Sequence, residues 1–541
     1  MLSPRRVSCA VMGALLSGPA LAGTTIHVPG DQPSITAAIA AAGPQDTVLV
    51  APGLYVESIH VPSHKHITVA SRDGADVTIL DGGGADVVIG LGLDGQTDMS
   101  LVVQGFTLRN AVAGVSSNGS CKLTLVGCTV RGCTGPAAVD LAGNAKHSLQ
   151  GCVVTENAGL GVRVAQTSFD FFKIVTVQDS TLSHNGGGGL EGKWVELSGC
   201  VIEANGGVGA KLTAIGKVTG CTVIDNAGTG VISREVTDSL FAGNGGYGVE
   251  SNAGTWFQAN GCRFLGNGLG GVFAWSLDSH KPSNSWWSCL FSGGDGLRSK
   301  VQNTGGETAD GVHDLRQCTF DGGPAITFEG GNEGLVISSI VRGTVITKSF
   351  AQPRLVRYSD IEGGAAGEGN IDADPLWASP ATQDYALLPG SPCINTGDPV
   401  WSPGDADGSP PDMGAVTYDP WTELGAGVAG LAGTAQLGGT GSMVGGSTIG
   451  LELALAPATT PVTLVLGTSQ LGAPFKGGTL WPAPSLLLPG LMTAGDGTLS
   501  FSGMWPAGLP AGSSFLAQAW WADAGAAFGV AGTQGLKGTQ P

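Results

Sequence analysis

Apolar side chains alternate with small or polar side chains in short runs along most of the chain. Six segments align without gaps: GCVVTENAGLGV, DSTLSHNGGGGL, GCVIEANGGVGA, GCTVIDNAGTGV, DSLFAGNGGYGV and GCRFLGNGLGGV. In each segment an apolar residue stands two positions after a Cys or Ser. This spacing places both side chains on one face of a strand. The pattern therefore predicts short strands that recur with the repeat, and no helix within the repeats.

In each of the six repeats an asparagine follows the strand, five residues after the Cys or Ser. A glycine cluster comes after the asparagine. The asparagines are Asn157, Asn185, Asn205, Asn226, Asn244 and Asn267. Asn and Gly tolerate the left-handed backbone of tight corners, and stacked Asn amides hydrogen-bond along in-register parallel strands. The steps between repeats run from 18 residues (Cys221 to Ser239) to 29 residues (Cys289 to Cys318). Such a period predicts a solenoid of stacked coils with an asparagine at one inside corner.

These repeats resemble those of the pectate-lyase-like superfamily over roughly residues 24–417. The resemblance implies a right-handed parallel β-helix. The opening DQPSITAAIAAAGPQDTVLVAPGLYVESIHV is similar to the N-terminal cap of that superfamily, with Ile35 and Ile39 on one side of a short helix and Gly43 as its stop. The segments YSDIEGG, GNIDADPLW, DYALLPGSPCINTGD and DADGSPPDMGAV resemble the choice-of-anchor closing segment of exported bacterial β-helix proteins. Tyr358 to Val416 are therefore expected to form the last coils and the C-terminal cap.

The composition changes near Asp419. Residues 424–541 contain five charged residues, and short apolar runs such as PVTLVLG and FLAQAWWAD alternate with Gly, Pro and Ala turns. This pattern predicts a separate β-sandwich, immunoglobulin-like in architecture. The predicted organisation is a signal peptide at 1–22, an all-β right-handed parallel β-helix at 23–417, a linker at 418–425 and the sandwich at 426–541.

The N-terminus predicts export. Arg5 and Arg6 precede an apolar stretch from Val7 to Leu16, and Ala20-Leu21-Ala22 is a small-x-small cleavage pattern. The expected location is extracellular or at the cell surface. No apolar run of about 20 residues follows, so the mature chain is expected to have no transmembrane span. The net charge of −18 argues against a nucleic-acid partner.

Seven cysteines share one repeat position: Cys128, Cys152, Cys200, Cys221, Cys262, Cys289 and Cys318. Ser180 and Ser239 occupy the same position in other repeats, which indicates a small inward side chain. Side chains in register point the same way, which suits disulfide geometry poorly, so this set is expected to form a buried thiol stack. Cys121, Cys133 and Cys393 lie outside the stack and are the better disulfide candidates in an exported protein.

Two adjacent long steps, from Cys262 to Cys289 and from Cys289 to Cys318, predict neighbouring loops that carry chemistry. Opening a polyuronate by β-elimination needs a base, while glycosidic hydrolysis needs two carboxyl groups. His280, Lys281 or His313 is the expected base, and Asp278 with Asp310 or Asp314 is the expected carboxyl pair. Aromatic and basic side chains are expected to bind the sugar: Trp275, Trp286, Trp287, Arg298 and Lys300.

The leading functional prediction is recognition of an extracellular polysaccharide or cell-surface glycan, with cleavage by a lyase or a glycoside hydrolase left open. The alternative is a non-catalytic surface, adhesive or structural protein. The N-T-D, D-D, G-H-G and R-I-K motifs typical of the pectin-hydrolysing branch are absent from the sequence. No metal site or cofactor is predicted. Asp405, Asp407 and Asp412 resemble a loose calcium loop, but they lack EF-hand spacing and are better explained as turn residues.

Overall fold

The computed structural model describes residues 23–93, 99–119, 121–166, 174–214, 216–251, 256–277, 283–302, 312–329, 333–348 and 353–541. The predicted signal peptide at residues 1–22 lies outside this set. The chain divides into two compact units, residues 1–196 and 197–541. The boundary between the units falls within the strand Val195–Ser198.

The first unit is a stack of coils whose strands run parallel in two sheets. Strands of the first sheet are Thr25–Val28, Thr47–Val50, His66–Ser71, Ser100–Gln104, Lys122–Val126, Ser148–Gln150 and Val175–Gln178. Strands of the second sheet are Gly53–Val56, Ile59–Val61, Thr78–Leu91, Thr107–Ser117, Thr129–Arg131, Ala137–Ala142, Val153–Thr155, Leu160–Ala165, Thr181–Ser183 and Gly188–Gly192. Neighbouring coils pair in parallel, as Ser148–Gln150 does with Val175–Gln178. The repeat pattern thus forms the predicted parallel coils.

A short helix, Ile35–Ala41, begins the first unit as predicted. Its N-cap Ser34 accepts a hydrogen bond from the Ala37 amide, and Ile35 and Ile39 are buried. The helix ends at Ala41 with Ala42 as its C-cap, so Gly43 follows the helix directly as predicted, and its amide donates to the Asp46 carboxylate. Among the described residues, no helix has the length and apolar character needed to cross a membrane.

The second unit continues the same coil pattern over its first half. Strands of its first sheet are Lys217–Thr219, Glu235–Thr237, Trp256–Asn260, Ser283–Trp287, Val312–Arg316, Glu333–Ile337 and Pro353–Arg357. Strands of its second sheet are Val201–Glu203, Val208–Leu212, Thr222–Ile224, Val231–Ser233, Leu240–Ala242, Tyr247–Ser251, Arg263–Leu265, Gly270–Leu277, Leu290–Ser292, Leu297–Gln302, Thr319–Glu329, Ile340–Lys348 and Asp360–Ile361. The described pairings among these strands are parallel, as between Tyr247–Ser251 and Gly270–Leu277.

The asparagines form the predicted inside corner. In the second unit the Nδ2 of Asn226 donates to Oδ1 of Asn244 at 3.0 Å, and Nδ2 of Asn244 donates to Oδ1 of Asn267 at 2.9 Å. Each of these asparagines is almost fully buried. These hydrogen-bonded asparagines form a ladder along the corner. A Cβ at Gly230 would lie 2.9 Å from the Nδ2 of Asn244, so a glycine after the corner is needed to make room for the ladder.

The interior contains stacks of identical side chains. Phe241, Phe264, Phe291 and Phe320 lie in successive coils with ring centroids 5.2, 4.8 and 4.5 Å apart. The cysteines at the shared repeat position are buried free thiols, as predicted.

The disulfides expected of Cys121, Cys133 and Cys393 do not form, because all three are buried free thiols. Two of these thiols contact polar groups nearby in the structure. The Cys133 thiol lies 3.9 Å from the Arg131 carbonyl of its own coil, and the Cys393 thiol lies 3.5 Å from the Asp360 carboxylate. All ten described cysteines are therefore reduced.

The closing segment caps the coils of the second unit. It includes an antiparallel pair, Trp377–Ser379 with Asp384–Leu387, and a 3-10 turn at Pro380–Thr382. Leu387, Cys393 and Met413 pack against Ile340 of the coils. The buried Asp398 carboxylate pairs with the Arg357 guanidinium at 2.6 Å. The last coils and the C-terminal cap were predicted for Tyr358 to Val416, the part of the chain to which this segment belongs.

The C-terminal part folds as two antiparallel sheets. One contains Trp421–Leu424, Gly535–Thr539, Ser514–Ala522, Pro461–Gly467 and Leu486–Met492, with Val530–Gly532 beside Ser514–Ala522. The other contains Gln436–Thr440, Thr448–Ala454 and Leu499–Met504, and a separate hairpin joins Gln470–Phe475 to Gly478–Pro482. Leu437 and Leu453 of the smaller sheet share a core with Leu464 and Trp521 of the larger sheet. The arrangement is sandwich-like, and the predicted linker at 418–425 contributes the strand Trp421–Leu424 to it.

Candidate functional site

The outer side of the second sheet in the second unit carries a group of aromatic and charged side chains that we call the aromatic face. It contains Tyr247, Glu250, Phe273, Trp275, Asp295 and Arg298, all partly exposed. Alternation within the strand Tyr247–Ser251 directs Val249 and Ser251 inward and Glu250 outward. The parallel register then places Glu250 beside Phe273, and Phe273 beside Arg298.

An aromatic pair lies at the centre of this face. The rings of Tyr247 and Phe273 are 5.2 Å apart with an interplanar angle of 24°. Tyr247 is opposite Gly270 in the register, so the neighbouring coil carries no side chain at the position beside it. The guanidinium carbon of Arg298 lies 5.5 Å from the Phe273 ring centre, within cation–π distance. The result is a flat aromatic surface with a cation at one side.

Glu250 has an unusual setting for a surface carboxyl. Its neighbours in the two adjacent strands are Ile232 and Phe273. Burial raises the pKa of Glu250 above its ordinary value. Among the described residues, none forms an ion pair or a hydrogen bond with this carboxyl. Such a group favours the protonated form more than an ordinary glutamate and is suited to proton transfer.

Asp295 lies two coils beyond Tyr247. The Gly271 amide donates to the Asp295 carbonyl at 2.7 Å, which places Asp295 in the coil after Gly270. A Cβ added to Gly270 would lie 2.3 Å from the Asp295 carbonyl oxygen, so only a glycine lets the backbone of the next coil approach this closely. Sequence reasoning missed Tyr247 and Glu250, which precede the two long steps, and did not single out Phe273 and Asp295 within those steps.

Two of the predicted sugar-binding residues, Trp275 and Arg298, belong to the aromatic face, and the backbone of a third, Lys300, lies beside Trp275. Trp275 is held through its backbone, whose amide donates to the Ser251 hydroxyl at 2.9 Å. In the register, Arg298 follows Phe273 and the Lys300 backbone follows Trp275. Their predicted roles in sugar binding stay predictions, but the structure brings the three positions together on adjacent strands.

Two predicted site residues point into the core. Trp286 and His313 are both fully buried, and their rings are 5.7 Å apart. Trp286 also contacts Phe257 of the preceding coil, with ring centroids 5.8 Å apart. The alternation in the strand Ser283–Trp287 turns Trp286 inward. Because neither side chain reaches solvent, the interior position does not suit the predicted roles in sugar binding and proton abstraction.

Trp287 and Asp314 lie on the outer side of the first sheet. Arg316 lies between two indoles, with its guanidinium carbon 5.3 Å from the Trp287 ring and 5.6 Å from the Trp401 ring. The Asp314 carboxylate binds the same guanidinium at 2.8 Å. This arrangement ties the coil to the closing segment, since Arg316 also donates to the Trp401 carbonyl at 2.9 Å.

The remaining predicted catalytic residues, Asp278, His280, Lys281 and Asp310, lie outside the described residues. Their roles stay predictions. Across the described part of the chain, no group of three or more His, Cys, Asp and Glu side chains is placed to hold a metal ion. In the suggested calcium loop, burial and then the Asp412 carboxylate raise the pKa of Asp405 to about 7.

Comparison with known proteins supports the fold. Residues 76–212 and 113–285 match the family described as right handed beta helix region. This match and the parallel coils confirm the predicted right-handed parallel β-helix. None of the curated proteins matches the chain in sequence.

Three solved structures are similar at low identity. Pectate lyase Pel9A is 13% identical over 73% of this chain and 96% of that chain, with a TM-score of 0.33. The A-module of the Azotobacter vinelandii mannuronan C-5 epimerase AlgE4 is 13% identical over 66% of this chain and 98% of that chain, with a TM-score of 0.33. PfbA, a surface adhesin of Streptococcus pneumoniae, is 11% identical over 62% of this chain and 85% of that chain, with a TM-score of 0.27. Scores this low carry no functional argument.

Proposed function

For a chain that carries a right-handed β-helix region, we propose recognition of an extracellular polysaccharide through the aromatic face. The observation that carries the proposal is the solvent-facing Tyr247–Phe273 pair, with the rings 5.2 Å apart. Glu250 on one side and Arg298 on the other supply polar groups within the neighbouring strands.

The chemistry of this face suits a sugar chain. A pyranose ring has an apolar face of C–H groups and a polar rim of hydroxyls. Aromatic side chains cover the apolar face, and a few placed polar groups fix the orientation of the ring. The strands that carry these residues belong to a rigid coil stack, which limits the entropy lost when the ligand binds.

Export is part of this proposal. Residues 1–22 are proposed to direct secretion, which would place the aromatic face where extracellular polysaccharides occur. The test is to express the chain in a bacterial host and to determine the N-terminus of the recovered protein. A mature N-terminus near Gly23 in the extracytoplasmic fraction is expected, and an intact Met1 in the cytoplasm would contradict export.

The binding test uses affinity electrophoresis of the purified chain in gels that contain xylan, galactomannan, dextran, polygalacturonate or alginate. At least one polysaccharide is expected to retard the chain. Phe273→Ala is expected to weaken that binding about tenfold, a loss of about 1.4 kcal/mol that is reasonable for one aromatic contact.

The matched control is Phe528→Ala, which removes an exposed phenylalanine of the C-terminal sandwich. This variant is expected to bind as the unaltered chain does. If Phe528→Ala weakens binding while Phe273→Ala does not, the sugar site belongs to the sandwich instead. If no polysaccharide of the panel retards the chain, the proposed recognition fails for these five.

A further inference from the structure

Asparagine followed by glycine occurs six times in the chain, and the structure gives these pairs different surroundings. The asparagines are Asn118, Asn185, Asn205, Asn244, Asn260 and Asn267. In such a pair the glycine nitrogen can attack the side-chain carbonyl carbon of the asparagine, because glycine has no Cβ to hinder the approach. Whether it does so in the folded chain depends on where the glycine amide points and on whether water reaches the asparagine.

In the pair Asn118–Gly119 the reacting groups lie together. Both residues are exposed at the turn that follows the strand Thr107–Ser117. The Gly119 amide donates to the Asn118 Oδ1 at 2.7 Å. Since Oδ1 is bonded to Cγ, this contact also brings the nitrogen close to the carbon that it would attack. Gly119 has a φ of 71°, a conformation that glycine adopts without strain.

The asparagines of the inside corner are protected from this reaction. The glycine amides that follow Asn185, Asn244 and Asn267 donate to carbonyl oxygens of the preceding coil at 2.8 Å each. The three asparagines are also almost fully buried, so water does not reach their side-chain amides. A glycine nitrogen held in the coil-to-coil hydrogen bonds and the exclusion of water both oppose the attack.

Asn260 gives a closer comparison, because it is partly exposed and is also followed by glycine. It ends the strand Trp256–Asn260. The Gly261 amide donates to the Trp287 carbonyl of the next coil at 2.9 Å. This pair therefore has the same two residues and access to water, but its glycine nitrogen is directed away from the asparagine side chain.

We propose that Asn118 is a site of spontaneous modification, at which the side-chain amide is converted into a carboxylate. The inference is independent of the proposed polysaccharide recognition. The Gly119 nitrogen loses its proton to hydroxide and forms a bond to the Asn118 Cγ. The bond from Cγ to Nδ2 breaks, and ammonia leaves with a proton from water. Water then opens the five-membered imide at either carbonyl carbon, which gives an aspartate or an isoaspartate at position 118.

The two products differ in their effect on the coils. Both add one negative charge, from −18 to −19, but only the isoaspartate adds a methylene to the backbone. Before that methylene, the Asn118 amide donates to the Leu91 carbonyl at 3.0 Å. After it, the Gly119 carbonyl accepts from the Asn144 amide, also at 3.0 Å. The isoaspartate is therefore expected to weaken these contacts between coils and to speed hydrogen exchange of the Asn144 amide.

The test incubates the purified chain at neutral and alkaline pH and maps its peptides by mass spectrometry against a zero-time sample. Conversion at Asn118 is expected to be at least about tenfold faster than at Asn260, a difference of about 1.4 kcal/mol in activation free energy. The rate at Asn118 is expected to rise about tenfold per pH unit, since the attacking nitrogen is deprotonated. In water enriched in heavy oxygen, the product is expected to carry one solvent oxygen. Electron-transfer fragmentation separates isoaspartate from aspartate.

Variants and unfolding separate the effect of the fold from that of the sequence. Asn118→Gln is expected to stop conversion at this position, because its longer side chain would have to close a six-membered ring. The matched Asn260→Gln is expected to leave the rate at Asn118 unchanged. In guanidinium the six pairs are expected to react at similar rates, since the contacts that distinguish them are lost.

Two results would overturn the proposal. One is equal conversion at Asn118 and Asn260 in the folded chain. The other is an equally strong preference for Asn118 in guanidinium, which would assign the reactivity to the local sequence and not to the contact between the Gly119 amide and the Asn118 side chain.

Discussion

At the scale of single residues, neighbours of the same type have different roles in this chain. Trp286 is fully buried, whereas the adjacent Trp287 is 40% exposed. Glu235 forms an ion pair with Lys217 at 2.7 Å, whereas Glu250 has no such partner among the described residues. The direction in which a side chain points and the ion pairs that it forms, rather than its residue type, therefore decide whether it is available for binding or catalysis.

Substitution of Asn226 tests how much the asparagine ladder at the inside corner contributes to stability. The Asn226 Nδ2 donates to Oδ1 of Asn244 and to the carbonyls of Ile202 and Ile224. Asn226→Ala would leave these buried acceptors without that donor, and a buried unsatisfied group costs about 1–3 kcal/mol. The variant is expected to lose about 3 kcal/mol of unfolding free energy in guanidinium denaturation. Asn118→Ala, at an exposed position, is the control, and an equal loss in both variants would contradict the role of the ladder.

Asp405 and Asp412 form a pair of carboxyl groups whose titration is expected to make the stability of the chain depend on pH. The pKa of Asp405 is raised to about 7 by burial and by Asp412, while the unfolded chain has the ordinary value of 3.8. Between about pH 4 and pH 7 the folded state thus holds a proton that the unfolded state has lost. The contribution of Asp405 to stability therefore falls as pH rises through this window.

Denaturation at several pH values checks this prediction. Asp405→Asn is expected to flatten the decline in unfolding free energy between about pH 4 and pH 7, because the variant has no carboxyl to titrate. Asp374→Asn, at an exposed aspartate of the closing segment, is expected to leave the decline unchanged. A profile of Asp405→Asn as steep as that of the unaltered chain would contradict the assignment.

At the scale of elements, the strands have little independent stability. Many have three residues, such as Thr222–Ile224 and Leu240–Ala242, and each depends on the coil before and after it. The repeat predicted these strands and their corners well, because the alternation and the asparagine recur in the six aligned repeats. The end of the cap helix was also predicted, since Gly43 directly follows the C-cap Ala42.

Phe264 tests the aromatic stack inside the coils. Its ring lies between those of Phe241 and Phe291 and is 1% exposed. Phe264→Ala is expected to lower the unfolding free energy by about 3–5 kcal/mol, since it opens a cavity in a packed core. Phe264→Leu is expected to lose less, because it fills more of the space. Chemical denaturation measures both against exposed Phe528→Ala, and similar losses in all three would contradict the prediction.

At the scale of the whole molecule, the chain combines parallel coils with an antiparallel sandwich-like part and contains no disulfide among its described cysteines. The proposed export would normally favour disulfides. Coil packing explains their absence in the stack, because side chains at one repeat position point in the same direction. Burial raises the pKa of Cys128 to about 12, which disfavours the reactive thiolate.

Thiol labelling tests whether the cysteines are buried free thiols. Without reductant, the ten cysteines from Cys121 to Cys393 are expected to resist maleimide in the folded chain. All ten are expected to react after unfolding in guanidinium, as peptide mapping by mass spectrometry would record. Added reductant should leave the unfolding midpoint unchanged. A disulfide-linked peptide from the unreduced protein would contradict the prediction.

The sequence by itself determined the repeating coil, the asparagine corner, the thiol stack, the cap helix and the change to a C-terminal part of β-strands. These features follow from local spacing that recurs from coil to coil. Only the tertiary structure decided which outward residues meet on the aromatic face. Tyr247, Phe273 and Arg298 come from three coils. Because the loops differ in length, the distance along the chain does not reveal the register that brings these side chains together.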